Sequence, residues 1–195
     1  ALQILMKSDK AHIASYLLSA LTSGDKDLRN AALSNASAYA DPNIYEAVVS
    51  KFTALSTEAQ VDVMNWLADH RVSSQIDAVV HAIGSPDNDL SKAAIRAAGI
   101  IGGQQALNAL IGQLGGKSAP AASAALMAFN GNINDGVVSA LNGHAATQVQ
   151  ALKLASARKM YRTYEKVVSL LNASDPSVKE AAYDALGGVA GPHKF

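Results

Sequence analysis

Apolar residues recur along this chain at the three- and four-residue spacing of helices that bury one face. The pattern is most complete in 175–191, where small apolar residues predominate. Because small side chains let a neighbouring helix approach closely, this segment predicts a helix that packs against another helix. Its apolar face consists of Val178, Ala181, Ala182, Ala185 and Leu186.

The same segment carries start and stop signals. Ser174 or Asp175 is suited to cap the helix, since a side-chain oxygen there accepts from the unpaired amides of the first turn. Pro176 then fits the first helical position, where its missing N–H has no effect. We predict that the helix ends at Gly187 and Gly188, because glycine adopts the left-handed C-cap conformation without a Cβ clash.

Weaker copies of this segment recur at intervals of 28 to 33 residues. We call the helix of each copy the A helix. The fifth residue after its first apolar position is large, and we expect it to be a buried anchor. The first positions are Leu28, Val61, Leu90, Ala121, Val149 and Val178, and the anchors are Leu33, Trp66, Ile95, Leu126, Leu154 and Tyr183.

A second apolar helix, the B helix, follows the A helix in five of these repeats. No segment alternates apolar and polar residues for long, so no strand is predicted. Residues 1–7 look like the tail of a further A helix, and 12–21 like its B helix. The B helices start their apolar faces at Ile44, Ile76, Leu107, Val137 and Tyr164.

The ends of the array lack the polar residues of terminal repeats. Leu2, Ile4, Leu5 and Met6 are apolar, and no B helix follows the last A helix. We therefore expect a fragment of a longer protein, or an edge that docks onto something else, including end-to-end self-association.

A helix-turn-helix unit of about 30 residues with this sequence pattern resembles the HEAT-like repeats of the phycobilisome-lyase type. Residues 178–187, Val-Lys-Glu-Ala-Ala-Tyr-Asp-Ala-Leu-Gly, match best, and 90–114 form the fullest repeat. The resemblance implies an all-α, right-handed α-α superhelix, a HEAT/armadillo-like solenoid with about six helix pairs counting partial ends. It also implies that the B helices line the concave face. No linker is long enough to separate domains, so we expect one domain over residues 1–195.

Composition narrows the function classes. Net charge is zero, with 16 basic and 16 acidic residues, which speaks against a general nucleic-acid role. The chain has no cysteine, so thiolate metal sites and cysteine nucleophiles are excluded. No apolar run approaches the roughly 20 residues of a membrane span. The compartment stays open, with a bacterial extracytoplasmic location favoured.

Trp66 and His70 are the first candidates for chemistry. Trp66 invites ligand stacking, but it stands in the anchor position and is expected in the core. His70 follows Asp69, and an Asp-His pair can act as a base or metal ligand. Its position in the repeat instead predicts a C-cap, as for Gly99, Arg158 and Gly187. The other histidines, His12, His81, His144 and His193, lie in different repeats, and no metal-ligand spacing occurs.

Two further groups favour structural readings. Glu58, Asp62, Asp69 and Asp77 make an acidic surface that is expected to be solvated helix faces and caps. The glycine-rich stretches 99–103 and 112–116 lack the strand and the leading glycine of a phosphate loop, so they are expected at helix ends and an inter-repeat turn.

The segment 153–166 departs from the repeat pattern, because it carries five basic residues against one acid, Glu165, with two tyrosines interleaved. Basic and aromatic side chains together suit phosphate, an acidic peptide or single-stranded nucleic acid. We expect a partner-binding patch here, formed by Lys153, Arg158, Lys159, Tyr161, Arg162 and Lys166.

The leading functional expectation is a non-catalytic protein-protein interaction scaffold, one module of a larger bacterial protein. No cofactor is expected, and the partner is a protein or peptide. The resemblance implies a bilin-lyase-like enzyme or enzyme subunit as an alternative, and a nucleic-acid-binding domain as a second one. No residue here matches a catalytic role.

Overall fold

The computed structural model describes residues 2–39 and 41–191, and all secondary structure in them is helical. Thirteen α-helices and four short 3-10 segments lie in these ranges, with no strand. The α-helices are α1 (Leu2–Ser8), α2 (Ile13–Leu21), α3 (Lys26–Ser37), α4 (Pro42–Ser50), α5 (Thr57–Asp69), α6 (Ile76–Ile83), α7 (Asn88–Ile101), α8 (Gln104–Gly112), α9 (Ala119–Met127), α10 (Asn134–Ala140), α11 (Ala145–Ala157), α12 (Tyr164–Leu170) and α13 (Pro176–Val189).

The predicted series of helix pairs is confirmed. Every predicted A helix is present, as α3, α5, α7, α9, α11 and α13, and the partial one is α1. The B helices are α2, α4, α6, α8, α10 and α12. The fold is therefore all-α, while its right-handed superhelical course stays a prediction.

The chain divides into two compact units, Ala1–Ala97 and Ala98–Phe195, and the division falls inside α7. In the N-terminal unit, α3 contacts both α1 and α5, while α2 packs on α3 and α4. In the C-terminal unit, α11 contacts α9 and α13, while α12 packs on α13. In each unit, consecutive A helices therefore touch one another directly. That the whole chain is one array remains an expectation.

Helix starts follow the predicted cap chemistry. The Asp175 carboxylate accepts from the backbone N–H groups of Ser177 and Val178, at 2.9 and 3.2 Å. Asp25 and Asp87 stand at the same position in their repeats, and each accepts from two backbone amides in the same way. An aspartate three residues before the first apolar position thus starts three of the A helices.

The predicted buried anchors are confirmed in all repeats but the last. Leu33, Trp66, Ile95, Leu126 and Leu154 are each at most 5% exposed. Tyr183 is 59% exposed, so the prediction was wrong there. It lies on the outer face of α13, which no later helix of the described chain covers. Lys179, one turn earlier in α13, is also exposed.

The first helix leaves apolar side chains in solvent. Ile4 and Leu5 on α1 are 71% and 46% exposed, while Met6 is fully buried. Self-association through these ends stays a prediction.

The expected helix stop at Gly187 and Gly188 was wrong, because α13 continues through both glycines to Val189. The reason for one of them is packing. A Cβ on Gly188 would meet the Ser156 side-chain oxygen and would lie 2.7 Å from the Ser156 carbonyl oxygen and 2.8 Å from its Cα. Gly99, also expected at a cap, lies inside α7, where a Cβ would stand 2.9 Å from that of Ala125. These glycines permit close approach between A helices.

The adjacent glycines of α13 make a matched test of this interpretation. Gly188→Ala pushes α13 against the backbone of α11 and is expected to destabilise the fold by about 1–3 kcal/mol. A Cβ on Gly187 would instead point into open space, so Gly187→Ala is expected to stabilise by about 0.5–1 kcal/mol through helix propensity. Urea unfolding measures both. A loss of stability in Gly187→Ala would restore the C-cap reading.

Candidate partner-binding surface

Trp66 belongs to the core of the N-terminal unit, as predicted. Its side chain is 5% exposed, and its ring centroid lies 4.6 Å from that of Tyr45. Burial raises the pKa of the Tyr45 phenol. The indole Nε1 of Trp66 donates to Ser37 Oγ at 3.0 Å, so α5 is tied to α3 through a polar contact.

His70 is the C-cap residue of α5, which confirms its predicted position. Its Nε2 lies 2.7 Å from Ser37 Oγ, and the Ser37 hydroxyl donates to the Leu33 carbonyl at 2.8 Å. The neighbouring Asp69 carboxylate instead stands 3.7 Å from Arg96 Nη2, on an exposed surface. The Ser37 hydroxyl is thus the junction between two A helices, and Asp69 and His70 contact different partners.

The acidic group of the second repeat is not uniformly solvated, contrary to expectation. Asp62 is only 8% exposed, and its Oδ2 accepts from Arg29 Nε at 2.7 Å. Arg29 is 3% exposed and also donates to the Ser23 carbonyl. Glu58 lies in the first turn of α5, as expected of a residue at a helix start. Hydrogen bonds from its own backbone amide and from the Ser56 side chain lower its pKa.

Sequence reasoning missed this ion pair, although a usable signal was present. Arg29 and Asp62 are each the residue after the first apolar position of their A helix. Because equivalent positions of α3 and α5 face each other, opposite charges at the same position of two neighbouring repeats indicate a contact. A comparison of the repeats that considers only their apolar residues does not detect this contact.

The predicted basic patch is only partly brought together. Arg158, Lys159, Tyr161 and Arg162 line an open hollow of about 390 Å³ in the C-terminal unit. Lys153 lines a different groove, of about 510 Å³, between α11 and α13 beside Glu180 and Asp184. Lys166 lies half-buried on α12, outside the residues that line either space. We call the first space the basic hollow; its opposite wall is Gly131, Asn132, Ile133 and Asn134.

Arg158 lines the hollow and also contacts the end of a neighbouring helix. It is the C-cap of α11, as predicted, and its Nη1 donates to the carbonyls of Leu126 and Phe129 at 2.7 and 3.1 Å. These carbonyls stand at the C-terminal end of α9, where the helix dipole favours a cation. Arg158 therefore joins α11 to the end of the preceding A helix and also lines the hollow.

Lys159 has a left-handed backbone, with φ of 52°. Its N–H donates to the Ser156 carbonyl, and that of Met160 to the Ala155 carbonyl, which is the Schellman arrangement of a helix end. Arg71 repeats this geometry after α5, with φ of 50°. The predicted C-cap residues, His70 and Arg158, each stand one residue before this left-handed position.

The two turns carry different side chains on the same backbone. After Arg71, the segment Ser73–Gln75 forms a 3-10 helix, and after Lys159 the segment Tyr161–Thr163 does the same. Tyr161 and Arg162 thus stand where the other turn has Ser73 and Ser74. The turn forms with small polar residues, so the aromatic and the cation are not required for its shape.

Other predicted groups have structural positions. Gly102 and Gly103 have φ of 79° and 89° immediately before α8, which fits a helix boundary and not a phosphate loop. Residues 2–39 and 41–191 contain no group of three acidic or histidine side chains placed to hold a metal ion. His193 lies outside the described residues. None of the described helices has the length and apolar character required to cross a bilayer.

Comparison with known proteins gives information on the fold alone. No protein-family model matches the sequence, and no curated protein matches it. The crystal structure of an engineered protein from the Northeast Structural Genomics Consortium is similar, with a TM-score of 0.51 and 19% sequence identity. The match covers 91% of this chain and 96% of that one.

Removal of the Ser37 hydroxyl tests the junction between α3 and α5. Ser37→Ala leaves the buried Trp66 N–H without its acceptor and is expected to cost about 1–3 kcal/mol. Ser34→Ala, one turn earlier and exposed, is expected to stay within about 0.5 kcal/mol. Thermal unfolding followed by fluorescence reports both, since Trp66 is the only tryptophan. Equal effects of the two substitutions would contradict the assigned role.

Proposed function

We propose that this chain is a non-catalytic interaction scaffold of HEAT-like repeats, a module of a larger bacterial protein. It binds a partner protein through the surface around the basic hollow. The helix pairs provide a stable support, and the turn between α11 and α12 provides the recognition surface. In this proposal the remaining members of the patch, Lys153 and Lys166, contact the partner at its edges.

The observation that carries the proposal is the difference between the two equivalent turns. Tyr161 is 48% exposed and Arg162 is exposed, although Ser73 and Ser74 serve the same backbone elsewhere in the chain. An exposed aromatic beside cations is typical of protein interfaces, where tyrosine and arginine contribute much of the binding energy. Because the equivalent turn forms with serines at these positions, we assign Tyr161 and Arg162 to binding.

Position-specific cross-linking tests the proposal. The tagged chain is treated with an amine-reactive cross-linker in bacterial extract, and the modified lysines are identified by mass spectrometry. Partner cross-links are expected mainly at Lys159, with fewer at Lys153 and Lys166. Lys26, Lys51 and Lys92 are exposed elsewhere and serve as internal references.

A charge-matched pair of variants completes the experiment. Arg162→Gln, which keeps every amine of the patch, is expected to reduce the partner cross-links at Lys159 strongly, while Lys92→Gln, with the same change in net charge, leaves them unchanged. Cross-links spread evenly over all lysines would contradict the proposal. Tetrapyrrole absorbance in the purified chain, or salt-sensitive DNA binding, would instead favour the lyase-like or nucleic-acid reading.

A further inference from the structure

We infer that the basic hollow binds carboxylate side chains of an acidic segment in the partner protein. The inference rests on the proposed function, because it assigns the chemistry of the same surface. It is carried by the charges that line the hollow, by the two carbonyls that Arg158 already binds, and by the cation that Lys159 places beside Tyr161 and Arg162.

The hollow is strongly one-sided in charge. Arg158, Lys159 and Arg162 contribute three cations, and no acidic residue is among the side chains that line it. Asp135 and Glu165 are the nearest acids along the chain to the two walls, and neither lines the hollow. In a chain whose net charge is zero, this local excess favours an anionic ligand.

The opposite wall adds neutral groups. Asn132 Oδ1 accepts from the backbone N–H of Asn134 at 2.9 Å, which fixes the start of the turn. On the other side, a Cβ on Gly191 would lie 3.8 Å from Tyr161 Cγ, so the tyrosine ring rests against the backbone that follows α13. A ring held in this way offers an apolar surface to the methylene groups of a glutamate.

Carboxylates fit the hollow better than phosphate does. Arg158 is the least exposed of the three cations, and two carbonyl oxygens already share its Nη1. These carbonyls offset part of its charge, so the hollow offers less positive charge than three free cations would. The remaining charge of Lys159 and Arg162 suits singly charged groups, and 390 Å³ is space for side chains of an extended peptide.

The backbone at Lys159 supports a role for its charge. A non-glycine residue in the left-handed region is strained, and glycine would avoid that strain. Lysine at this position thus places a cation at the rim of the hollow at the expense of backbone strain. Arg71 carries a cation on the same backbone in the other turn, so Tyr161 and Arg162 beside Lys159 are what distinguish the hollow.

A glutamate-rich peptide is the probe. Fluorescence anisotropy with a labelled hexaglutamate peptide is expected to show binding that weakens as salt increases. Arg162→Gln is expected to weaken it about tenfold, the loss of one charge-assisted hydrogen bond. Lys159→Gly is expected to weaken binding while leaving the thermal midpoint unchanged or higher, which separates binding from folding. Arg158 is left unchanged because it also caps α9.

Lys92→Gln is the matched control, with the same change in net charge on an exposed site of the other unit. Equal binding by Arg162→Gln and Lys92→Gln, or no peptide binding at all, overturns the inference. Inorganic phosphate that displaces the peptide at equal concentration overturns the choice of carboxylate. If partner cross-links persist at Lys159 while the peptide fails to bind, only this inference is contradicted. If the peptide binds but no partner cross-links form at Lys159, the scaffold function is contradicted and the anion site is retained.

Discussion

Close contact between consecutive A helices is the constraint on which the rest of the structure depends. Ser156 on α11 lies so near Gly188 on α13 that no Cβ fits between them, and Ala125 on α9 is almost as close to Gly99 on α7. Helices at this distance need small residues at the contact, which explains the alanine-rich composition of the A helices. In the N-terminal unit, polar anchors serve the same contact, through Ser37 with Trp66 and through Arg29 with Asp62.

The turns between A and B helices follow from this packing. Because each A helix is fixed by its neighbours, its C-terminal turn needs only a backbone of the right shape. Two such turns have a left-handed residue with nearly the same φ, Arg71 in one and Lys159 in the other. The side chains that follow these residues are free to differ. Arg158 belongs to both features, since one guanidinium caps α9 and lines the basic hollow. The candidate surface is thus a turn between an A helix and a B helix whose side chains differ from those of the equivalent turn.

The amino-acid pattern predicted the helix pairs well, because a buried apolar stripe and an Asp cap are local signals. It placed Trp66 in the core and His70 at a cap for the same reason. It failed where the cause was a neighbouring helix: Gly188 reads as a stop in isolation, and only the proximity of Ser156 shows its role. Tyr183 failed because an anchor is buried only when another helix covers it. The basic hollow could not be delimited, since its second wall is some thirty residues away in sequence.

A double-mutant cycle on Arg29 and Asp62 tests most directly whether contacts at equivalent positions hold the A helices together. Arg29→Met or Asp62→Leu alone leaves one buried charge without its partner, and each is expected to destabilise the chain by about 3–5 kcal/mol in urea unfolding. The double variant is expected to be far more stable than the sum of the two losses implies, because both charges are then removed. Additive losses, or single losses below about 0.5 kcal/mol, would contradict the account.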